Sequence, residues 1–320
     1  MSTECCTGIG IKIGGFVLQT TALKISEISI DDKQCFDSYF KMAGLRVSEL
    51  NFTNFFMWRD YYRFRFSIVN DFLCIISVKE DGQPFCFFPV GDYSRIDELK
   101  CTFYILREYF QEMGWSFKMQ RVSEGQLALL VKLGLNFNSD EDRDNFDYLY
   151  SVKSLSTLAG KKLDGKRNHI NKFKKLHTFE YEEIIDGNLA DCKAILENWC
   201  VQRNYTEEKS LIAERKANLD ILDNYSILGL KGAVIKVDGV PQAFSVGEQL
   251  TEDTCVIHIE KANADIHGLY PLINQQFLSN EWAHFEYVNR EQDLGLEGLR
   301  KAKLSYNPVS FVEKYTVELC

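Results

Sequence analysis

The feature that most restricts how this chain can fold is an order of local patterns that occurs twice. In the first half, DDKQCFDSYFKMA and NFTNFFMWRDYY have helical spacing, and Asn51 caps the second. Three strand-like runs follow, YRFRFSIVN, DFLCIISVKEDG and QPFCFFPVGDY, parted by the turn residues Asn70-Asp71 and Asp81-Gly82. Next comes a helix with Leu99, Phe103, Leu106 and Phe110 at helical spacing, then the strand WSFKMQRV, the helix SEGQLALLVKLG and a last strand around Asp147 to Val152. The second half repeats the order. TFEYEEI is a strand, LADCKAILENWCVQRN and ERKANLDILDNY are helices, and LKGAVIKVDG, VPQAFSVGEQL and TCVIHIEKA are strands with a hairpin signal at Asp238-Gly239. PLINQQFLSNEWA opens a helix on Pro271, HFEYVNRE is a strand, LEGLRKAKLSY a helix and PVSFVEKYTVEL a closing strand.

Two helices, three antiparallel strands, a helix, a strand, a helix and a strand, twice over, describe an α+β chain of two units. The order resembles that of the GNAT acyltransferase fold. The expected architecture is therefore a tandem of GNAT-like domains, each a mixed, mostly antiparallel sheet flanked by helices. The expected boundaries are a loose N-terminal extension over 1–28, one domain over 29–153 and a second over 154–320. A chain of 320 residues suits two domains better than one core. Its 23 Phe and 15 Tyr favour a large, sheet-containing interior.

The ten cysteines form no C-x-x-C and no Cys/His spacing of a zinc site, so no metal is expected. Many sit in apolar runs, which suits reduced thiols in a cytoplasmic protein. No apolar stretch reaches the ~20 residues of a membrane span. GIGIKIGGFVLQTTAL is interrupted by Lys12 and Gln19 and has no basic flank, so it reads as extension rather than signal peptide.

Charge is distributed unevenly. The chain carries 37 basic and 46 acidic side chains, a formal net charge of -9. Yet residues 161–175 read KKLDGKRNHINKFKK, seven cations against one aspartate. As a helix, this stretch buries Leu163, Ile170, Phe173 and His177, while Arg167, Asn171 and Lys174 line an adjoining strip. Gly165 weakens its first turn by roughly 1 kcal/mol relative to Ala. One reading is a solvated linker helix. The other is an anion site in which Lys166 and Arg167 hold phosphates and Asn168, His169 and Asn171 add directional hydrogen bonds. The absence of acids after Asp164, where i,i+4 partners would be usual, favours the anion site.

A second constellation lies near the C-terminus. CVIHIEKANADIHGLYPLINQQFL is a strand, a loop and a helix start, the junction that receives an acyl carrier's phosphates in a GNAT unit. The glycine-rich loop of a CoA-using enzyme is missing; Gly268 stands alone. His258 and Glu260 alternate with apolar residues along the strand, and Glu260 is the candidate base. His267 reads as a loop residue. Asn289, Arg290, Glu291 and Asp293 follow at the carboxyl end of a strand, where α/β sites form, with a capped turn as the alternative. Arg300 and Lys303 share one helix face, as an anion clamp or as an ion-pair element. Glu297 and Lys301 read as an ordinary i,i+4 pair.

The motifs SELNFTNFFMWRDYY, GKRNHINKFKKL, the Gly268-Leu269-Tyr270-Pro271 turn and NREQDLGLEGLRKAKLSYNP together resemble the phosphatidylglycerol lysyltransferase C-terminal-like family, over roughly residues 30–318. That resemblance implies a tandem GNAT-like fold related to the Fem-type aminoacyltransferases, and transfer of an aminoacyl group from aminoacyl-tRNA to a lipid headgroup. Lipid-modifying members carry a membrane region; this chain, without a transmembrane segment, resembles the stand-alone branch. Lys166, Arg167, His169, Asn171, His258, Gly268, Tyr270, Glu291, Arg300 and Lys303 are then expected to bind donor or acceptor, with Glu260, Asn289 and Asp293 in catalysis. No cofactor is required; the donor is aminoacyl-tRNA or acyl-CoA, and the acceptor a small molecule or lipid headgroup. The alternatives are a non-catalytic module that binds an anionic metabolite, and a CoA-dependent N-acyltransferase.

Overall fold

Phenylalanine at helical spacing builds the first half. In Lys33–Ala43 and Phe52–Tyr62, Phe36, Phe40, Phe52, Phe55 and Phe56 all fall on the buried side. Asn51 accepts the Asn54 N–H and so starts the second helix, as expected of a cap. The computed structural model describes residues 10–13, 16–19, 23–80, 82–203 and 209–319. Within the segment expected to be a loose extension, Gly10–Ile13 and Phe16–Gln19 pair as a hairpin and Ser26–Glu27 joins a sheet edge. Cys5, Cys6 and Asp81 lie outside the described residues.

Two seven-stranded, mostly antiparallel sheets flanked by helices carry the chain. The first runs Ser26–Glu27, Phe64–Val69, Phe72–Ser77, Phe85–Cys86, Lys118–Ser123, Lys314–Leu319 and Phe137–Glu141. The second runs Phe179–Glu183, Lys231–Val237, Val240–Gln249, Thr254–Ala262, Tyr287–Asn289, Asp147–Ser151 and Ser310–Val312. This is the expected tandem GNAT-like class, with one difference in connection. Asp147–Ser151, the last strand of the first half, sits in the second sheet, and Lys314–Leu319, the last strand of the second half, sits in the first. The expected boundary at 153/154 follows chain order, whereas the sheets exchange their final strands across it. The run PVSFVEKYTVEL is accordingly two strands in two sheets, Ser310–Val312 and Lys314–Leu319.

The middle core is shared. Phe36, Phe52 and Phe55 of the first half belong to one buried cluster with Trp199, Ile221, Phe244 and Ile259 of the second. Truncating such a side chain, Phe55→Ala for instance, costs about 3–5 kcal/mol.

The exchanged strands begin on opposite charges. Lys314 and Asp147 are both fully buried, with Nζ 2.6 Å from Oδ1. Lys314 also donates to Glu49 at 2.5 Å, and Arg121 Nε donates to the other Glu49 oxygen at 3.1 Å. Asp147 takes further hydrogen bonds from the Ser48 N–H and hydroxyl and from the Asn289 amide. Burial pushes Glu49 up, but Lys314 and Arg121 together hold its carboxyl below the usual range. Asp147 is raised, because burial outweighs Lys314. No helix among the described residues is long and apolar enough to cross a membrane.

Candidate functional site

The site begins where two parallel strands part. Thr254–Ala262 and Tyr287–Asn289 pair only at Thr254/Tyr287, Cys255/Val288 and Val256/Asn289. Beyond Val256 the first strand continues to Ala262 while the second ends and turns at Glu291, which takes φ +55. On its other edge the first strand carries a bulge at His258. The register with Val240–Gln249 runs Val246/Ile259 and then Gly247/Ile257, leaving His258 unpaired. Gly247 is required there, since a Cβ would lie 2.4 Å from the Val256 carbonyl.

The bulge turns His258 inward between two carboxylates, Glu291 at 3.0 Å from Nδ1 and Glu248 at 2.9 Å from Nε2. Its side chain is fully buried. Burial alone would lower the imidazole pKa, but the two carboxylates raise it to about 9. His258 is therefore an imidazolium at neutral pH, bridging both strands of the cleft. It holds Glu291, which was expected to bind substrate, in place beside Arg290.

Two residues further along the same strand lies Glu260. Its carboxylate accepts from Arg290 Nη2 at 2.8 Å and from Asn274 Nδ2 at 3.0 Å. Asn274 lies on the helix Leu269–Glu281, so three elements meet at one carboxylate. Two atoms here are left over: Arg290 Nη1 and Asn274 Oδ1 are buried with no partner at hydrogen-bonding distance, although the Tyr306 hydroxyl also acts on the Arg290 guanidinium. Seven such side-chain atoms occur among the described residues, and two of them belong to side chains that bond the same glutamate through another atom. The Asn274 amide cannot be reversed to relieve this, because its oxygen would then face the Glu260 carboxylate. Tyr306 forms the floor, its ring centroid 4.8 Å from the Arg290 guanidinium and 3.9 Å from Lys166 Nζ. Burial, and then Arg290, lower the Lys166 pKa.

Lys166 is how the basic stretch reaches the cleft. The helix Asp164–Leu176 buries Ile170 and Phe173, with Leu163 at its start, as the spacing required. His177 is half-buried instead, its ring bonded to Asp238 at 2.8 Å. Gly268, with φ +92, lets this helix touch the start of Leu269–Glu281. A Cβ there would lie 2.6 Å from the His169 carbonyl. Across that contact His169 and His267 share a hydrogen bond of 2.7 Å, both exposed. Burial, then His267, lower the His169 pKa.

Other expected contacts point elsewhere. Arg167 pairs with Asp164 and donates to the carbonyls of Leu158 and Gly160, so it caps the preceding turn. Asn171 is exposed on the outer side. The Tyr270 hydroxyl accepts from Trp199 Nε1 at 3.0 Å. Asn289 is fully buried and bonds Arg46, Asp147 and the Glu291 N–H. Asp293, equally buried, accepts from Arg300 twice, from the Tyr148 hydroxyl and from the Gly295 N–H. Burial opposes its charge, but those donors hold its pKa down to about 2. Neither side chain has an atom to spare for a substrate, so the catalytic roles expected for Asn289 and Asp293 give way to structural ones. Lys303 donates to the carbonyls of Arg290, Glu291 and Gln292 and fixes the turn; burial lowers its pKa to about 8. Arg300 joins Asp293 to Asp144.

Thus Glu260, Arg290, Asn274, Tyr306 and Lys166 lie together; the sequence analysis singled out Glu260, Lys166 and Arg290 but neither Asn274 nor Tyr306. The available signal for Asn274 was an amide on the buried side of an apolar helix. Among the described residues no three His, Cys, Asp or Glu side chains converge as metal ligands would.

Comparison with known proteins bears on the family and the fold. Residues 40–318 match the family described as phosphatidylglycerol lysyltransferase, C-terminal. A conserved protein of unknown function from Bacteroides thetaiotaomicron superposes with a TM-score of 0.86 at 34% identity, covering 93% of this chain and all of that one. The C-terminal domain of a putative lysylphosphatidylglycerol synthetase from Agrobacterium fabrum gives 0.64 at 14% identity, over 90% and 91% of the two chains. A tandem GNAT protein from the clavulanic acid pathway gives 0.51 at 8%, over 92% and 98%, which supports the fold. An uncharacterised protein of Mycoplasmoides gallisepticum is 24% identical over 178 residues, 54% of this chain and 56% of that one, so the match spans about half the length of that relative.

Proposed function

The chain belongs to the phosphatidylglycerol lysyltransferase C-terminal family, and from that premise we propose that it transfers an aminoacyl group from a phosphate-bearing donor such as aminoacyl-tRNA to a nucleophilic acceptor, a small molecule or a lipid headgroup. The observation that carries this reading is the pair of unsatisfied polar atoms on either side of Glu260, at the mouth of parted strands and beside Lys166. A buried donor and a buried acceptor left open cost free energy that a ligand would recover.

An aminoacyl ester is already activated, so the protein's task is alignment and charge stabilisation. The acceptor's hydroxyl or amine attacks the ester carbonyl, the bond to the carrier oxygen breaks, and the acceptor's proton passes to that oxygen. Arg290 Nη1 is placed to donate to the carbonyl oxygen as it gains charge. Glu260 is placed to take the proton from the acceptor and return it to the leaving oxygen, and Asn274 Oδ1 to accept from the substrate's amino group. Lys166 and the exposed lysines 162, 172, 174 and 175 would hold carrier phosphates, a contribution that weakens with salt.

The test is single-turnover incubation of the purified protein with tRNA charged with a mixture of radiolabelled amino acids. Loss of label from the tRNA to a new product supports the proposal. Neither binding nor turnover with saturating aminoacyl-tRNA and acyl-CoA would end it. A bound anionic metabolite with no product over time would assign the cleft to a non-catalytic binding module. A stabilising shift in melting temperature on addition of CoA alone would favour the CoA-dependent alternative.

A further inference from the structure

Two helices that contribute to the cleft meet at a pair of histidines. His169 lies on Asp164–Leu176, and His267 directly precedes Gly268 at the start of Leu269–Glu281. The chain has five histidines, and these two face each other, His267 Nε2 standing 2.7 Å from His169 Nδ1. Their rings are inclined at 84° with centroids 4.5 Å apart, so they meet through these nitrogens and do not stack.

Backbone packing fixes the contact. A Cβ on Gly268 would lie 2.6 Å from the His169 carbonyl and 3.1 Å from the Phe173 Cβ. Ile170, Phe173, Gly268 and Leu269 are buried, so both elements are anchored in the core and hold their spacing. The exposed rings themselves are less constrained. Neither outer nitrogen, His169 Nε2 or His267 Nδ1, is bonded to a carboxylate or carbonyl among the described residues.

One proton lies between the two facing nitrogens: one ring donates and the other accepts. With its outer nitrogen free, the donating ring can shift to its other tautomer, and both facing nitrogens then present lone pairs. A late first-row divalent cation takes imidazole nitrogen at about 2.0–2.1 Å, so a shared ion sets the two nitrogens about 2.9 Å apart at a right angle and about 3.3 Å apart in a tetrahedral site. Small rotations of two exposed rings lead from 2.7 Å to either spacing.

Charge selects the kind of ion. Burial, then His267, then Lys166 and Lys172 lower the His169 pKa, which keeps that ring free of the protons that compete with a metal. Both lysines lie on the same helix, three residues on either side of His169. They repel a hard cation such as Mg2+, which depends on charged oxygen ligands that this contact does not supply. An ion whose affinity comes from nitrogen donation overcomes that repulsion.

We propose that His169 and His267 form a two-imidazole site for a late first-row divalent cation, Zn2+, Ni2+ or Cu2+, with water completing its coordination. The bound ion ties the helix that carries Lys166 to the helix that carries Asn274, and so stiffens the cleft. The site is independent of what the cleft transfers, and its test involves no turnover.

The experiment is calorimetric titration of the untagged full chain, stripped with a chelator, with Ni2+, for which thiols compete less than for Zn2+. One Ni2+ per chain is expected, with a rise of several degrees in melting temperature at saturation and none with Mg2+. His169→Gln and His267→Gln should each weaken binding at least about ten-fold, the scale on which losing even an outer partner of a metal ligand is felt. Both positions are exposed, so their metal-free melting temperatures should stay within a few degrees of wild type. His177→Gln, at the ring bonded to Asp238, should leave binding unchanged. Absence of Ni2+ binding overturns the proposal. Undiminished binding by either the His169 or the His267 variant overturns it too, as does Mg2+ binding of equal strength.

Discussion

Two clusters of buried charge lie in this molecule, and they differ in completeness. At the seam between the sheets, Lys314, Asp147, Glu49, Ser48, Asn289 and Arg121 satisfy one another, and none of their side-chain atoms is among the buried ones left without a partner. In the cleft, Glu260, Arg290 and Asn274 make two good hydrogen bonds and leave two buried atoms open. The seam resolves a problem of folding, since two exchanged strands start side by side and need a fixed register. The cleft is resolved only when something else enters. Burial and charge alone would rank the seam first as a site; counting partners reverses the order.

That contrast can be broken or sharpened by substitution. Lys314→Met removes the cation from between two buried carboxylates and should cost about 3–5 kcal/mol in urea unfolding, if the variant folds at all. His258→Gln tests the link between them, since the imidazolium joins the cleft's two strands. Its folded pKa of about 9 lies above the ordinary value of about 6.5, so its stabilisation is full below that lower value and disappears as pH rises through 9. Wild-type stability should then fall by about 3 kcal/mol across that window, and the variant's profile should be flat there. Arg290→Lys, which keeps a cation on the buried Glu260 but loses the second guanidinium nitrogen, should leave unfolding free energy within about 2 kcal/mol of wild type while transfer falls about a hundredfold. At the acid end, Asp293 has the opposite sign. Its depressed pKa contributes stability above about pH 4 that is lost as pH falls through 2, about 2 kcal/mol, and Asp293→Asn should remove that dependence. The smallest effect belongs to the outer lysines: Lys172→Gln with Lys174→Gln should lower tRNA affinity several-fold and reduce its salt slope by about two.

Much of the fold was legible because its signals are local. Leu163, Ile170 and Phe173 fall on one face by spacing alone, Asn51 caps by residue type, and the doubled element order carries the architecture. The strand exchange was not legible. PVSFVEKYTVEL reads as one continuous strand, and nothing in its alternation says that residues 310–312 and 314–319 belong to different sheets. In the site, Glu260 and Lys166 stood out as a carboxylate on a strand face and a cation in a basic run. Asn289, Asp293 and Arg300 stood out for the same reason and turned out to be committed to the turn, because sequence shows charge without showing its partner. Arg290 was visible beside them, but its open nitrogen depends on a glutamate thirty residues away and an asparagine on another helix.

The measurement that bears most directly on the account is a parallel one on Arg290→Lys, which keeps the charge on Glu260 and removes the open nitrogen: thermal unfolding, and single-turnover transfer from charged tRNA. The account predicts a melting temperature within a few degrees of wild type and transfer reduced about a hundredfold. Full transfer by the variant, or a collapse in stability like that of Lys314→Met, would contradict it and make the cleft another piece of the scaffold.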